Sequence, residues 1–412
     1  METSDVIILG GGLIGLTLAL ALNRHGISTQ VIDTADLKAA LSPTFDGRVS
    51  AIASASMKML DAIGLGEPLK ADGCPINRIR VTEGLLPVAL DFDAAEGAEE
   101  AGDGDPLGFM VENRLLRRAL LDGAERATHM VLHAPARATG IERDAFRVQV
   151  NLDDGRQLSA PLLIVAEGRN SATREAAGIK VARWKYDHNA IVTVIDHEKS
   201  HGNTAFEIFY HTGPFAILPM KGDGNGGTRS AIVWSVPSHL AKAVTGLPAR
   251  ALVAEIEKRM GGMLGAVRLA APAWTYPLGF HHAGRLTDNR LVLVGDAAHG
   301  IHPIAGQGLN LGFRDVAALT QVLVEGARLG LDLGDPQLLN RYQRWRGLDT
   351  MMVAGTTDVL NRLFGLPGKP MRTIRALGLA AVERIKPLKA RFMAEARGES
   401  GDLPKLLRGE LV

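Results

Sequence analysis

Leu-Val-Leu-Val-Gly-Asp-Ala-Ala-His-Gly-Ile-His-Pro-Ile-Ala-Gly-Gln-Gly-Leu-Asn-Leu-Gly-Phe-Arg-Asp, residues 291–315, joins an apolar run, a turn bearing Gly295 and Asp296, a glycine-rich loop and the start of an amphipathic helix. A strand that ends in Asp296 delivers a carboxylate to a polyol. Small residues in the loop let backbone amides approach a ring that turns anionic on reduction, and the helix after Gly308 adds its positive end. That chemistry suits a flavin. An ordinary strand and helix would not need so many glycines around Pro303.

The other end of the chain carries a second glycine cluster. Residues 5–9 form a short apolar run, Gly10, Gly12 and Gly15 form a GxGxxG around Leu13 and Ile14, a helix continues from Leu16, and Val31-Ile32-Asp33 closes another strand. This is the context of a dinucleotide fingerprint. Gly10 permits the turn, Gly12 lets a pyrophosphate reach the backbone, Gly15 lets helix and strand pack closely, and Asp33 can bind the adenosine ribose. The fingerprint alone does not separate FAD from NAD, but the second carboxylate turn at Asp296 selects FAD. The same pattern at Gly222, Gly224 and Gly227 precedes a strand-like run, so those glycines are expected to close a hairpin. With one dinucleotide fold, a nicotinamide donor must dock without a Rossmann domain of its own.

These motifs need elements to position them. The length of 412 residues allows two or three domains. Hydrophobic residues make up 46%, charged residues 22%, and the formal net charge is +1, which argues against disorder and against nucleic acid as partner. A single cysteine, Cys74, excludes an internal disulfide and a dithiol redox centre. No apolar run approaches the eighteen or so residues of a membrane span, and residues 1–5 are too short and acidic for a signal peptide. A cytoplasmic protein is expected, with contact at the inner membrane surface as an option.

Strand–helix–strand patterning covers roughly the first seventy residues. Residues 91–105 read as a solvated loop, and from Val111 the pattern turns helical, with Arg114 where a helix begins. Arg114 can hold a phosphate or simply lie on the surface. Strand-like stretches at 146–152 and 162–166 lead into Glu167-Gly168-Arg169-Asn170-Ser171-Ala172-Thr173-Arg174. Stretches 188–196, 204–211, 215–220 and 230–236 then alternate as an antiparallel sheet does. The expected class is α/β: a Rossmann-like FAD-binding domain (1–75, 106–182 and 285–355), an inserted, mostly antiparallel β-sheet substrate domain (76–105 and 183–284), and C-terminal helices (356–412). From Met371, apolar Ile374, Ala381, Ile385, Leu388 and Phe392 recur beside Arg372, Arg375, Arg384, Lys386, Lys389 and Arg391. Such a helix either lies on an anionic membrane, binds a partner, or packs on the FAD domain.

The three motifs, in this order, resemble the class A flavoprotein aromatic hydroxylases of the para-hydroxybenzoate hydroxylase fold. Residues 302–312 through Asp315, together with Asp46-Gly47-Arg48 and residues 49–53, are similar to the polyprenylphenol hydroxylases of ubiquinone biosynthesis. Glu167 stands where that family usually has Asp, and Asp33 where it has Glu. The resemblance implies non-covalent FAD, NAD(P)H as co-substrate, a C4a-hydroperoxyflavin and hydroxylation of a lipophilic phenol, with a ubiquinone-biosynthesis complex as a partner open to the C-terminal helices. It implies that Asp296 with Gly295 binds the ribityl chain, that Pro303, Gly306, Gln307, Gly308, Leu309 and Asn310 face the pyrimidine side, and that Arg48 lies by the isoalloxazine or pyrophosphate. The alternatives are an FAD reductase or dehydrogenase of an isoprenoid on the same fold, and a flavin-retaining assembly subunit. No general base is legible: Tyr210, His211, Tyr276, His281, His282, His299 and His302 each admit a structural reading, and no metal site is expected.

Overall fold

A computed structural model describes residues 1–39, 41, 45, 47–96, 104–222, 228–300, 307–347, 378 and 382–412. Short aliphatic runs, buried on both faces, build a parallel sheet. Its order is Leu291–Leu293, Leu162–Val165, Val6–Leu9, Thr29–Ile32 and Met130–His133, with Thr287–Asp288 antiparallel at one edge. The helix Leu13–Asn23 lies against this sheet with Leu16, Leu18, Leu20 and Leu22 buried. A Cβ on Gly15 would stand 1.9 Å from the Gly10 carbonyl oxygen. Only glycine permits that approach, and Gly10 itself sits at φ +104°.

The larger sheet has nine strands among the described residues: eight run from Ala89–Asp93 through Arg78–Glu83, Thr204–Tyr210, Gly213–Met220, Thr228–Pro237, Val181–His197 and Trp274–Ala283 to His299–Gly300, and Val267–Leu269 pairs with Val181–His197 off this path. All these neighbours pair antiparallel except Thr204–Tyr210 with Arg78–Glu83. Period-two alternation gives the sheet two faces. Phe206, Ile208, Phe215, Ile217 and Trp234 pack on one face, where the helices Ser238–Thr245 and Ala249–Met260 cover them. The opposite face carries Glu207, Ala216, Leu218, Val233 and Val192 and looks into the cavity described below. Met220 opposite Arg229 makes the expected hairpin of the flanking strands, whereas residues 223–227, including Gly224 and Gly227, lie outside the described residues.

Several boundaries differ from those read in the sequence. Val111 belongs to the strand Gly108–Glu112, and the helix starts at Asn113. The strand expected from 188 begins at Val181, because residues 181–185 pair with Trp274–Ala283 while remaining largely exposed, which blunts the hydrophobic alternation. Asp91 and Asp93 are not loop residues but lie on the strand Ala89–Asp93, each ion-paired across to Arg80 and Arg78. The C-terminal amphipathic run is not one helix. Its first part, residues 371–377 and 379–381, lies outside the described residues, and Ile385 separates residues 382–384 from the helix Lys386–Arg397. Pro387 in the first turn can begin a helix but cannot continue one.

That helix packs on the protein. Val382, Phe392 and Met393 cover Leu90, Phe92 and Phe209, while Lys389 is buried between Glu96 and Glu383 at 2.7 Å from each. Ile385 and Leu388 stay exposed. Leu406, Leu407 and Val412 reach the main core. No helix among the described residues is long and apolar enough to cross a membrane.

Asn310, on the helix Gln307–Arg328, locks this helix to the strand Val49–Ala53: its Oδ1 accepts from the Ala53 amide and its Nδ2 donates to the Ala51 carbonyl, both at 2.9 Å. Asn310→Ala is expected to lower unfolding stability by about 1–3 kcal/mol for each buried group left unpaired. Urea titration checks it, and an unchanged midpoint would remove the locking role.

Candidate active site

The strand Leu291–Leu293 ends in the turn Gly295–Ala297, which is anchored at three successive residues. The Gly295 amide donates to Asp315 Oδ2 at 2.8 Å, His281 Nε2 donates to the Asp296 carbonyl at 2.8 Å, and Arg174 Nη1 donates to the Ala297 carbonyl at 3.0 Å. Asp315 is fully buried; it also accepts from His299 Nε2 at 2.6 Å and from Arg346 Nε at 2.7 Å. Burial alone would push its carboxyl up, but His299 and the Arg346 guanidinium outweigh burial and hold it below the ordinary carboxylate range. Burial lowers the pKa of His281, against the upward pull of its bond to the Asp296 carbonyl.

With its backbone held this way, the turn presents the Asp296 side chain to a cavity of about 1130 Å³. The Asp296 carboxylate is exposed and has no hydrogen-bonding or ionic partner among the described residues. The same cavity is lined by Gly12, Leu13 and Ile14 at the start of the first helix, whose N-cap has no side-chain hydrogen bond, and by Gly308 and Leu309 at the start of the helix Gln307–Arg328. A Cβ on Gly12 or on Gly308 would meet nothing within 4 Å, so backbone is bared to the space at both places. Two helix N-termini and a free carboxylate facing one cavity fit a dinucleotide with a polyol chain. FAD is such a molecule, and these residues would hold it.

Close packing sets this geometry. Ile14 fills the space beneath Gly295 and Gly312, where a Cβ on Gly312 would stand 2.6 Å from Ile14 Cδ1. Gly10 and Gly15 serve packing and do not line the cavity. Asp33 accepts from the Gly11 and Ala35 amides at 2.7 and 2.8 Å, which sets its carboxylate beside the glycine turn. Arg48 is exposed on the cavity wall; Arg114 is paired with Glu112 at 2.5 Å and lies off that wall. Asn310 spends its amide on residues 51 and 53. Pro303, Gly306 and His302 lie outside the described residues, as does the Gln307 side chain. Glu167 accepts from Ser171 Oγ, the Thr173 amide and Thr173 Oγ1 at 2.6, 3.1 and 3.0 Å, so it caps the helix Ala172–Ala176.

Of the candidate acids and bases, Tyr276 lines the cavity. Tyr210 points to the opposite face and donates to the Arg259 carbonyl at 2.5 Å; His281 and His299 are used in the anchored turn. His282 Nδ1 is buried with no partner among the described residues. The sequence reading missed Glu207, which lines the cavity from the strand Thr204–Tyr210 and whose carboxyl burial pushes up to about 7. Its signal was a lone charge centred in Thr-Ala-Phe-Glu-Ile-Phe-Tyr, an otherwise strand-forming run.

The FAD binding domain family matches residues 3–354. The chain belongs to that family. It is 46% identical over 411 residues to a Rhodospirillum rubrum protein named ubiquinone hydroxylase UbiL, covering 99% of this chain and 93% of the relative. It is 34% identical over 399 residues to the Escherichia coli 3-demethoxyubiquinol 3-hydroxylase, covering 96% and 99%. Among solved structures, p-nitrophenol 4-monooxygenase PnpA from Pseudomonas putida shares the fold with a TM-score of 0.80 at 18% identity, over 98% of this chain and all of the other. FAD is the cofactor of this flavoprotein.

Because the folded Asp315 carboxyl titrates below its unfolded value, its contribution to stability is present above about pH 4 and lost as pH falls through the folded value. Asp315→Asn is expected to cost about 3–5 kcal/mol at neutral pH, since the buried Arg346 charge loses its counter-charge. The variant should also show a smaller loss of stability below about pH 4. Denaturant midpoints at neutral and acid pH check both; parallel pH curves for the two proteins would refute the assignment.

Proposed function

We propose that this flavoprotein is a monooxygenase that hydroxylates the aromatic ring of a polyprenylated phenol in ubiquinone biosynthesis, consuming NAD(P)H and oxygen. One observation carries the reading: the cavity that receives the Gly12 and Asp296 turns is continuous with the sheet face of Ala190, Val192, Ala216, Leu218 and Val233. A substrate on that apolar face lies beside the flavin. The names of the relatives above support the hydroxylase chemistry and the quinone-related substrate.

Bound FAD, once reduced by NAD(P)H, supplies the activated oxygen. The chain itself binds, orients and shields. Asp296 takes the ribityl hydroxyls, the helix-start amides at Gly12 to Ile14 take the pyrophosphate, and those at Gly308 and Leu309 favour the anionic reduced ring. The aliphatic sheet face excludes the water that would otherwise divert activated oxygen.

The test is stoichiometry with a short-chain prenylphenol. Oxygen uptake should match hydroxylated product, and anaerobic enzyme should oxidise NAD(P)H only until its flavin is reduced. Product formed without oxygen would establish the reductase alternative, and a protein that binds FAD yet turns over nothing would leave the assembly role.

We infer further that the protein works at a membrane surface, because a polyprenyl substrate resides in the bilayer. Trp184, exposed on the strand pair bordering the cavity and not part of its lining, supports this, since such a ring favours the headgroup region. Wild-type protein should co-sediment with anionic phospholipid vesicles, and Trp184→Ala less so. If neither pellets, the surface role falls.

A further inference from the structure

Glu207 is the one carboxylate on the apolar face of the cavity among the described residues. Its strand pairs it with Ala216, and the row continues across the sheet as Val233, Val192 and Trp274. All five line the cavity. At roughly 4.8 Å per strand the row spans about 19 Å, long enough for an aromatic ring with part of an isoprenoid chain. Ala216 and Val233 are too short to cover the carboxylate. Glu207 is half-buried, lines the cavity and has no hydrogen-bond or ion-pair partner among the described residues.

A half-buried carboxylate without a partner costs stability, so its place in an aliphatic wall needs a reason. Among the described residues the surroundings supply no counter-charge. On the neighbouring strands the same face carries Ile79, Val81, Ala216 and Leu218, with Glu83 one step further along and engaged elsewhere. The Cys74 thiol belongs to the adjoining cluster around Ala205. Lys389, on the helix covering Phe209, is satisfied by Glu96 and Glu383. Arg48, Arg169, Tyr276 and Asp296 line other parts of the cavity wall.

Resting on the hydroxylase reading above, we propose that Glu207 is the catalytic base that accepts the proton of the substrate phenol. The phenol O–H bond breaks and its proton passes to a Glu207 oxygen. The electron pair left on oxygen moves into the ring, and a ring carbon forms its bond to the oxygen delivered at the flavin, whose donor keeps the electrons of the cleaved bond. The ring is thereby oxidised by two electrons and the oxygen donor reduced by two. When the ring carbon then loses its hydrogen to water as a proton, the ring oxygen regains a proton from Glu207, and the carboxylate is restored. Burial without a counter-charge, which brings the carboxyl to about 7, suits this exchange at neutral pH.

A base must be ionised to act, so wild-type kcat/KM for a short-chain prenylphenol should fall as pH drops through about 7. Glu207→Gln should keep its FAD and its fold, lose about 10²- to 10⁴-fold in kcat, and lose that acid limb. Glu207→Asp should restore part of the rate. A second readout needs no turnover: infrared difference spectra of the substrate-free holoenzyme between acid and alkaline pH should show a protonated carboxylic-acid carbonyl that disappears near pH 7 and is missing in Glu207→Gln. If wild type hydroxylates and the Gln variant retains rate and limb, the base assignment falls while the hydroxylase reading stands. If wild type makes no hydroxylated product, both fall together.

Discussion

Three hydrogen bonds to consecutive residues fix the turn at Gly295 to Ala297, and the cofactor site depends on that fixing. Asp315, His281 and Arg174 come from a helix, the large sheet and a short helix after the parallel sheet, so three parts of the chain agree on the position of one turn. Because the anchors take only backbone groups, the Asp296 carboxylate is left without internal demands. Asp315 itself is buried charge, tolerable because His299 and Arg346 surround it. The cluster thus converts a costly burial into positional precision for the carboxylate proposed to take the ribityl chain.

A division of labour runs along the cavity. At the end proposed for the cofactor, the cavity wall offers helix-start backbone and one carboxylate; along the sheet it offers short aliphatic side chains with a single acid among them. Low dielectric along the apolar part strengthens whatever electrostatics operate there and raises the proton affinity of a lone carboxylate. The polar end needs no comparable tuning, since its contacts come from fixed dipoles. One sheet face therefore provides both shielding and proton affinity.

Legibility followed the range of the signal. Gly10, Gly12 and Gly15 lie close together in sequence, and their strand–turn–helix context could be read directly; so could the Gly295–Asp296 turn and the alternation of the inserted strands. What the sequence could not show was pairing between distant segments. Asn310 sits in a loop-like motif, yet its amide is taken by residues 51 and 53. Arg174 and Arg346 gave no sign that they converge on the same turn, and Glu207 looked like an ordinary strand charge until the neighbouring strands proved to be apolar around it. Lys389 misled in the other direction: part of a basic face by its spacing, it is buried between two glutamates. Long-range electrostatics and pairing decide such sites, and local periodicity carries no record of them.

The parallel sheet has a kinetic consequence. Leu163 in its interior pairs on one side with Ile7 and on the other with Leu291, a partner that emerges from the ribosome only after every strand of the large sheet except His299–Gly300 has been made. During synthesis the strand Leu162–Val165 therefore has an open, fully aliphatic edge, the kind of surface that recruits strands from other chains. The nascent polypeptide must delay closure of its nucleotide-binding half until late in translation, and chaperone capture of that edge would govern how much of it matures.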